Sequence, residues 1–302
     1  MVDMTGPSLL VLAAGRARRF GGIKPLAKVG PNHEAIIDLL VSDAVDAGFS
    51  AITVVVNEDS GPLIRDHVSE TWPAELDVTF AVQASPRGTV HAVEAARDVI
   101  DAERPFAVVN ADDLYGTEAL RLCSQALVRT GANVLVGYRL RNAIVGSDPV
   151  TRGVCSVVDD QLTSIVERRE VVARDGRFES HGGDVPVTLD PDAVVSMNLW
   201  GFAPEIWQVF DEAMARADRA ARLGDGTTTD EVLLPEVVGA MLQGEFDAPD
   251  RARKVHVLVT ETRCVGVTHP DDLDAVRADL IQQVADGSRP KAIFGREVAE
   301  GR

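Results

Sequence analysis

The sequence predicts an α/β protein built on a Rossmann-like, mostly parallel but mixed sheet with helices on both faces. Three observations predict it. Short apolar runs alternate with helical periodicity from Leu9 to Tyr138, the pattern of repeated strand–helix units. Runs such as Ile52 to Val56 are apolar or β-branched throughout, as strands buried on both faces are. The stretches rich in Gly and charge fall where the runs end, and ligands bind beyond the carboxyl ends of such strands.

Each element follows from its own pattern. Leu9 to Leu12 is a buried strand, and Glu34 to Ala47 a helix with Ile36, Ile37, Leu40, Val41, Ala44 and Val45 on one face and Gly48 after its end. Ile52 to Val56 is a strand, Leu63 to Thr71 a helix stopped by Trp72-Pro73, and Val78 to Val82 a strand. Thr89 to Ile100 reads as a helix, Phe106 to Val109 as a strand, Glu118 to Arg129 as a helix and Val134 to Tyr138 as a strand. The pattern changes at Gly153. Val154 to Val158 and Leu162 to Glu167 pair across an Asp159-Asp160 turn, and Arg174 to Asp192 reads as a polar loop. Val194 to Phe202 is a strand, Pro204 to Leu223 and Asp230 to Leu242 are helices, Val255 to Val259 is a strand and Pro270 to Val284 a closing helix. The expectation is a single domain over residues 1–287, with halves 1–150 and 151–287 and a polar, partly disordered tail over 288–302.

Composition removes several classes of function. Asp and Glu number 47 against 30 Lys and Arg, a formal net charge of −17. Such a body repels nucleic acid and anionic membranes. The cations between Arg16 and Lys24 are an exception inside that field, which suits a small anion held in a pocket. Cys123, Cys155 and Cys264 are odd in number, far apart and without metal-ligand spacing, so they read as reduced core thiols. The start has no basic leader, and its apolar run is too short to span a membrane. A cytoplasmic protein is expected.

The stretch Leu9 to Pro25, LLVLAAGRARRFGGIKP, is the informative one. A strand empties into Ala13, Ala14 and Gly15, which permit close backbone approach, followed by Arg16, Arg18, Arg19 and Lys24. Backbone N–H groups and cations at such a place hold phosphates. Neither Gly-Lys-Ser/Thr nor G-x-G-x-x-G is present, since Ala17 occupies the second Gly position. Leu12-Ala13-Ala14-Gly15-Arg16-Ala17-Arg18-Arg19, then Lys24-Pro25, resembles the LAAG-x-G-[ST]-R…K-P signature of sugar-phosphate nucleotidylyltransferases, with Ala17 for Gly and Arg18 for Ser/Thr as departures. Pro25 also restricts Lys24 toward an extended backbone.

The resemblance covers roughly Leu9 to Leu273 and implies a GT-A-like nucleotidyltransferase fold, with roles for further segments. Asn110-Ala111-Asp112-Asp113 is similar to the family's metal segment, placing Asp112 on Mg²⁺; otherwise the pair is a solvated turn or a helix cap. Gln83 to Thr89, QASPRGT, is similar to the base loop, with Gln83 on the base edge and Gly88 and Thr89 beside the nucleotide; the plain alternative is a Ser-Pro turn. Val166-Glu167-Arg168 is similar to a segment in which the acid binds sugar hydroxyls and the base binds the sugar phosphate. Asn198 stands in a strand that closes the sugar pocket, and Trp200 beside it reads as core. Gly266 falls where many members carry a second metal-binding Asp, leaving Asp225, Asp230 or Asp112 alone to serve.

The implied reaction joins a nucleoside triphosphate to a sugar 1-phosphate or a cyclitol phosphate. Arg19 and Lys24 are its catalytic cations, on the β/γ- and α-phosphates respectively. Two rivals stand beside it. An NAD-type dehydrogenase needs a ribose-binding acid after the second strand, where Asn57-Glu58 lies. A non-catalytic regulatory subunit is consistent with Gly266. A homo-oligomer is compatible with either.

Overall fold

The structure is a computed structural model that describes residues 6–15, 22–144, 148–174, 177–183, 185–223, 231–267 and 272–295. The chain runs β1 (Ser8–Leu12), α1 (Ile36–Asp46), β2 (Ala51–Val56), α2 (Gly61–Thr71), β3 (Asp77–Val82), α3 (Thr89–Glu94), β4 (Phe106–Asn110), β5 (Asp113–Leu114), α4 (Thr117–Thr130) and β6 (Asn133–Arg139). It continues through β7 (Val150–Val158), β8 (Gln161–Arg174), β9 (Arg177–Ser180), β10 (Val187–Leu189), β11 (Val194–Phe202), α5 (Ile206–Leu223), α6 (Leu234–Leu242), β12 (Val255–Thr260), β13 (Val265–Gly266) and α7 (Asp272–Ala285).

One mixed sheet passes through both halves of the chain, in the order β10-β9-β8-β12-β6-β11-β4-β1-β2-β3, with β7 on β11 and β8. β3, β2, β1 and β4 are parallel. The reversal comes at β11, which is antiparallel to both β4 and β6. Alternation along β1 decides the two layers. Leu9 and Val11 enter a core with Leu40 of α1 and Leu120 of α4. Leu10 enters the opposite core with Val90, Phe106, Phe210 and Val238. Successive strand residues point to opposite faces, so both faces need helices to cover them. Trp200 is fully buried and stacked on Phe202, as expected of a core residue.

The structure departs from the sequence pattern in four places. The helix expected to Ile100 ends at Glu94, and a short 3-10 turn over Arg97–Val99 follows. Residues 231–233 are extended rather than helical because their backbone pairs with the 87–90 loop: Val90 N–H donates to Val232 O at 3.0 Å and Val232 N–H to Arg87 O at 2.9 Å. The polar stretch after Arg174 is the outer edge of the sheet, β9 and β10. The tail is anchored over residues 286–295. Buried Arg289 grips Asp43 with two hydrogen bonds, at 3.1 and 2.8 Å, and Phe294 N–H donates to Ser42 Oγ at 2.8 Å. A polar residue is the anchor there, so hydropathy alone does not reveal it.

The Asp159-Asp160 turn forms as expected, with φ of 50° and 58°, the primed geometry that fits a twisted hairpin. Cys123 and Cys264 are buried, Cys155 is half-buried and all three are free thiols. Among the described residues, no helix is long and apolar enough to cross a membrane.

Candidate active site

Because β1, β3 and β4 are parallel, their carboxyl ends deliver Ala13–Gly15, Gln83 and Asn110–Asp113 to one rim of the sheet. A cavity of about 570 Å³ opens there, lined by Ala14, Gly15, Gln83, Gly88, Thr89 and Asp112 among others. A second cavity of about 250 Å³ is lined by Asp113, Arg152, Glu167, Asn198, Glu236 and Gly266 among others. Asn110 and Leu233 line both, so the cavities share a wall.

In the first cavity the backbone is held tightly. Ala13 N–H donates to Val55 O at 2.7 Å, carrying the strand pairing into the loop. Asn57 Nδ2 donates to Ala14 O at 3.0 Å, and Asn57 Oδ1 accepts from Ser60 N–H at 2.7 Å, so this side chain is spent on the loop. Arg19 and Ala17 lie outside the described residues. Lys24 opens a 3-10 turn over Lys24–Leu26, and the extended residue is Ile23, one earlier than the Pro25 argument expects. Lys24 Nζ stands 3.7 Å from Asp112 Oδ2, both side chains partly open to solvent.

The base-loop candidates also come together. Gln83 is buried, and its Nε2 donates to Gly88 O at 3.0 Å and meets His91 Nδ1 at 3.1 Å. Gly88 has a φ of 91°, and a Cβ there would stand 2.4 Å from Val232 O. Only glycine satisfies both conditions. Thr89 Oγ1 accepts from Leu234 N–H at 2.8 Å, so its hydroxyl fastens the start of α6 to this loop.

The second cavity is lined mainly by β7, β8, β11 and the start of α6, with Asn110 of β4, Asp113 of β5 and Gly266 of β13 completing it. Asn198 has a φ of 61° in a bulge of β11, a conformation that Asn tolerates, and its Oδ1 accepts from Trp200 Nε1 at 3.2 Å. Glu167 lines the wall and accepts from Arg169 Nε at 2.8 Å. Neighbouring strand residues point to opposite faces, and Arg168 lines neither this cavity nor the first. The cation that does line it is Arg152, which donates from Nε and Nη2 to Ala143 O at 2.9 and 2.7 Å. Burial, and then the charge of Glu167, raise the pKa of Glu236. Arg152 and Glu236 carry no motif in the sequence; only the sheet brings them here.

Asp112 and Asp113 stand where the two cavities meet. β5 pairs with β13 so that Asp113 faces Gly266. A Cβ on Gly266 would stand 2.2 Å from Asp113 Oδ1. The carboxylate of Asp113 thus fills the space above the residue whose own carboxylate is missing. Asn110 Nδ2 fixes its other oxygen at 2.9 Å. Burial, then the charge of Asp112, push Asp113 up to about 6, and burial raises Asp112 against the pull of Lys24. Asp225 and Asp230, the other substitutes for the missing acid, lie outside the described residues.

Residues 9–142 match the nucleotidyl transferase family. The sequence matches no curated protein. The fold is similar to that of UDP-glucose pyrophosphorylase complexed with UDP-glucose, at 12% identity and a TM-score of 0.60, covering 92% of this chain and 99% of that one. It is also similar to HddC from Yersinia pseudotuberculosis, at 15% identity and a TM-score of 0.58, covering 90% of this chain and 99% of that one. The architecture is therefore the GT-A-like nucleotidyltransferase fold.

Proposed function

We propose that the protein joins a nucleoside triphosphate to a sugar 1-phosphate, or a sugar-like cyclitol phosphate, with release of pyrophosphate, a reading supported by the match of residues 9–142 to the nucleotidyl transferase family. The carrying observation is the pair of cavities that share Asn110 and Leu233 as a wall, with Asp112 on the first, Lys24 3.7 Å from Asp112, and Asp113 on the second. The first cavity takes the triphosphate and the second the acceptor. An oxygen of the acceptor phosphate attacks the α-phosphorus in line, the bond to the β-phosphate oxygen breaks, and pyrophosphate leaves. Lys24 stabilises charge at the α-phosphate, and Arg19 is assigned to the leaving phosphates. Glu167, Glu236 and Asn198 offer oxygens to acceptor hydroxyls, and Arg152 is the cation nearest to hand for its phosphate.

The family's divalent cation fits the residues present. Asp112 and Asp113 are adjacent hard-oxygen donors whose charge is incompletely balanced by Lys24. Among the described residues, no cluster of three or more His, Cys, Asp or Glu is arranged around a metal, and Mg²⁺ takes one or two carboxylates with phosphate and water for the rest. Asp112 and Asp113 would hold it. When bound it neutralises charge on the phosphates. Asp113 also answers the Gly266 departure, which was the sequence's main argument for a non-catalytic subunit.

The test is a pyrophosphate-release assay over four nucleoside triphosphates and a panel of sugar and cyclitol phosphates with Mg²⁺. Release that needs both substrates is expected. Release in no combination overturns the proposal.

A further inference from the structure

β4 and β11 pair antiparallel through Val108 with Trp200, Ala107 with Gly201 and Phe106 with Phe202. The same register carried two residues further would set Asn110 opposite Asn198. The ladder stops short of that pair, and β11 bulges between Ser196 and Trp200. Backbone groups released from a ladder inside a protein need other partners. One side chain serves both strands. Tyr115 is fully buried, and its hydroxyl accepts from Asn110 N–H at 3.0 Å and donates to Met197 O at 2.8 Å. A phenol has one proton to give, and it goes to Met197.

This hydroxyl ties together parts of the acceptor cavity that have no other direct bond in common. Asn110 and Tyr115 bracket Asp112 and Asp113, so the bond between them closes the acidic loop on itself. Asn110 Nδ2 in turn fixes Asp113 Oδ2 at 2.9 Å. On the other strand, Met197 precedes Asn198, the residue held at a φ of 61°. Asn110, Asp113, Met197 and Asn198 all line the second cavity, whereas Tyr115 lines neither cavity. The Tyr115 backbone is itself fastened, since its carbonyl accepts from the Tyr138 hydroxyl at 2.9 Å.

We propose that the Tyr115 hydroxyl is the positioning group that sets the acidic loop against the Met197–Asn198 bulge, and through them sets the acceptor phosphate in line with the α-phosphorus. This rests on the reading of the two cavities as triphosphate and acceptor sites. Ala13 to Gly15, Gln83 and Gly88 take no part in the bridge, so it governs the acceptor and the transfer step rather than the grip on triphosphate. Without the hydroxyl, Asn110 N–H and Met197 O lose their common partner, and the loop and the bulge shift relative to one another. A misplacement of about 1 Å in such a reaction costs about a hundredfold in rate.

Tyr115→Phe removes the hydroxyl alone. With a triphosphate and acceptor pair that releases pyrophosphate from the parental protein, kcat should fall about tenfold or more and acceptor KM should rise, while triphosphate KM stays within about twofold. Tyr138→Phe is the control. It removes an equally buried hydroxyl and leaves both bonds of the Tyr115 hydroxyl in place. It should lose thermal stability as Tyr115→Phe does, yet keep kcat within about twofold of parental. Parental kcat in Tyr115→Phe, equal losses of kcat in the two variants, or a rise in triphosphate KM in place of acceptor KM overturns the proposal and leaves nucleotidyl transfer standing. Should Tyr115→Phe not fold, ¹⁹F NMR decides. The chain has two tyrosines, so 3-fluorotyrosine incorporated into Tyr138→Phe gives one resonance, from position 115. That resonance should shift when acceptor joins the Mg²⁺–triphosphate complex, and a resonance indifferent to acceptor overturns the proposal. Absence of transfer by the parental protein with every substrate pair overturns it together with the reading on which it rests.

Discussion

Lys24 Nζ stands 3.7 Å from Asp112 Oδ2, and the proposed reaction gives each of them a separate role. Lys24→Ala should cut kcat by about a hundredfold or more, with triphosphate KM little changed, because the ammonium follows charge that grows only in the transition state. Steady-state kinetics checks it, and near-parental kcat refutes the role. Asp112→Asn keeps shape and removes charge; it should weaken Mn²⁺ binding, read by EPR, and lower turnover in parallel. Unchanged Mn²⁺ affinity contradicts the assignment. Arg152→Ala should raise acceptor KM far more than triphosphate KM, whereas Arg168→Ala should shift neither much. The reverse would return the acceptor phosphate to Arg168. That Ala14, Gly15, Gln83 and Asp112 gather at one cavity was legible because each follows the end of a parallel strand, and Gly88 joins them from the turn that starts α3. Arg152, Glu236 and the meeting of Asp113 with Gly266 were not. They converge from distant parts of the chain, and register rather than spacing sets their contact.

At the scale of elements, α3 follows the 83–88 loop and packs on α5, and a half-buried acid sits in that contact. Glu94 Oε1 is buried without a hydrogen-bond partner, and burial, followed by the charge of Asp211, pushes Glu94 up to about 7 against the usual 4.5. The sign follows directly. The folded state holds this proton more tightly than the unfolded state, so the ionised form costs stability as pH rises from the unfolded value, fully so above about 7. Glu94→Gln should therefore be the more stable protein at pH 8, by on the order of 1 kcal/mol after allowance for solvent screening. The gain should fade toward pH 4. Urea unfolding at both pH values measures it, and a gain independent of pH contradicts the account. The strands of the parallel half were legible because each is a continuous apolar run. The non-helical 231–233 segment, the β9 and β10 edge, and the docked tail were not, because tertiary partners decide them: Arg87 and Val90 for the 231–233 segment, β8 for the edge, and Asp43 for Arg289.

The whole molecule carries a formal net charge of −17. One sheet spans both halves, so the proposed nucleotide side on β1–β4 and the proposed acceptor side on β7, β8 and β11 are parts of one framework. In the proposed reaction, that shared framework holds two substrates for in-line transfer without a covalent intermediate. Isotope position tests this most directly. An accepted sugar or cyclitol phosphate is labelled with ¹⁸O in the non-bridging oxygens of its phosphate, and the products are read by mass spectrometry and ³¹P NMR. If the acceptor oxygen attacks the α-phosphorus, all of the label appears in the nucleoside-diphosphate product and none in pyrophosphate. Label in pyrophosphate, or hydrolysis of the triphosphate with no joined product, would contradict the account.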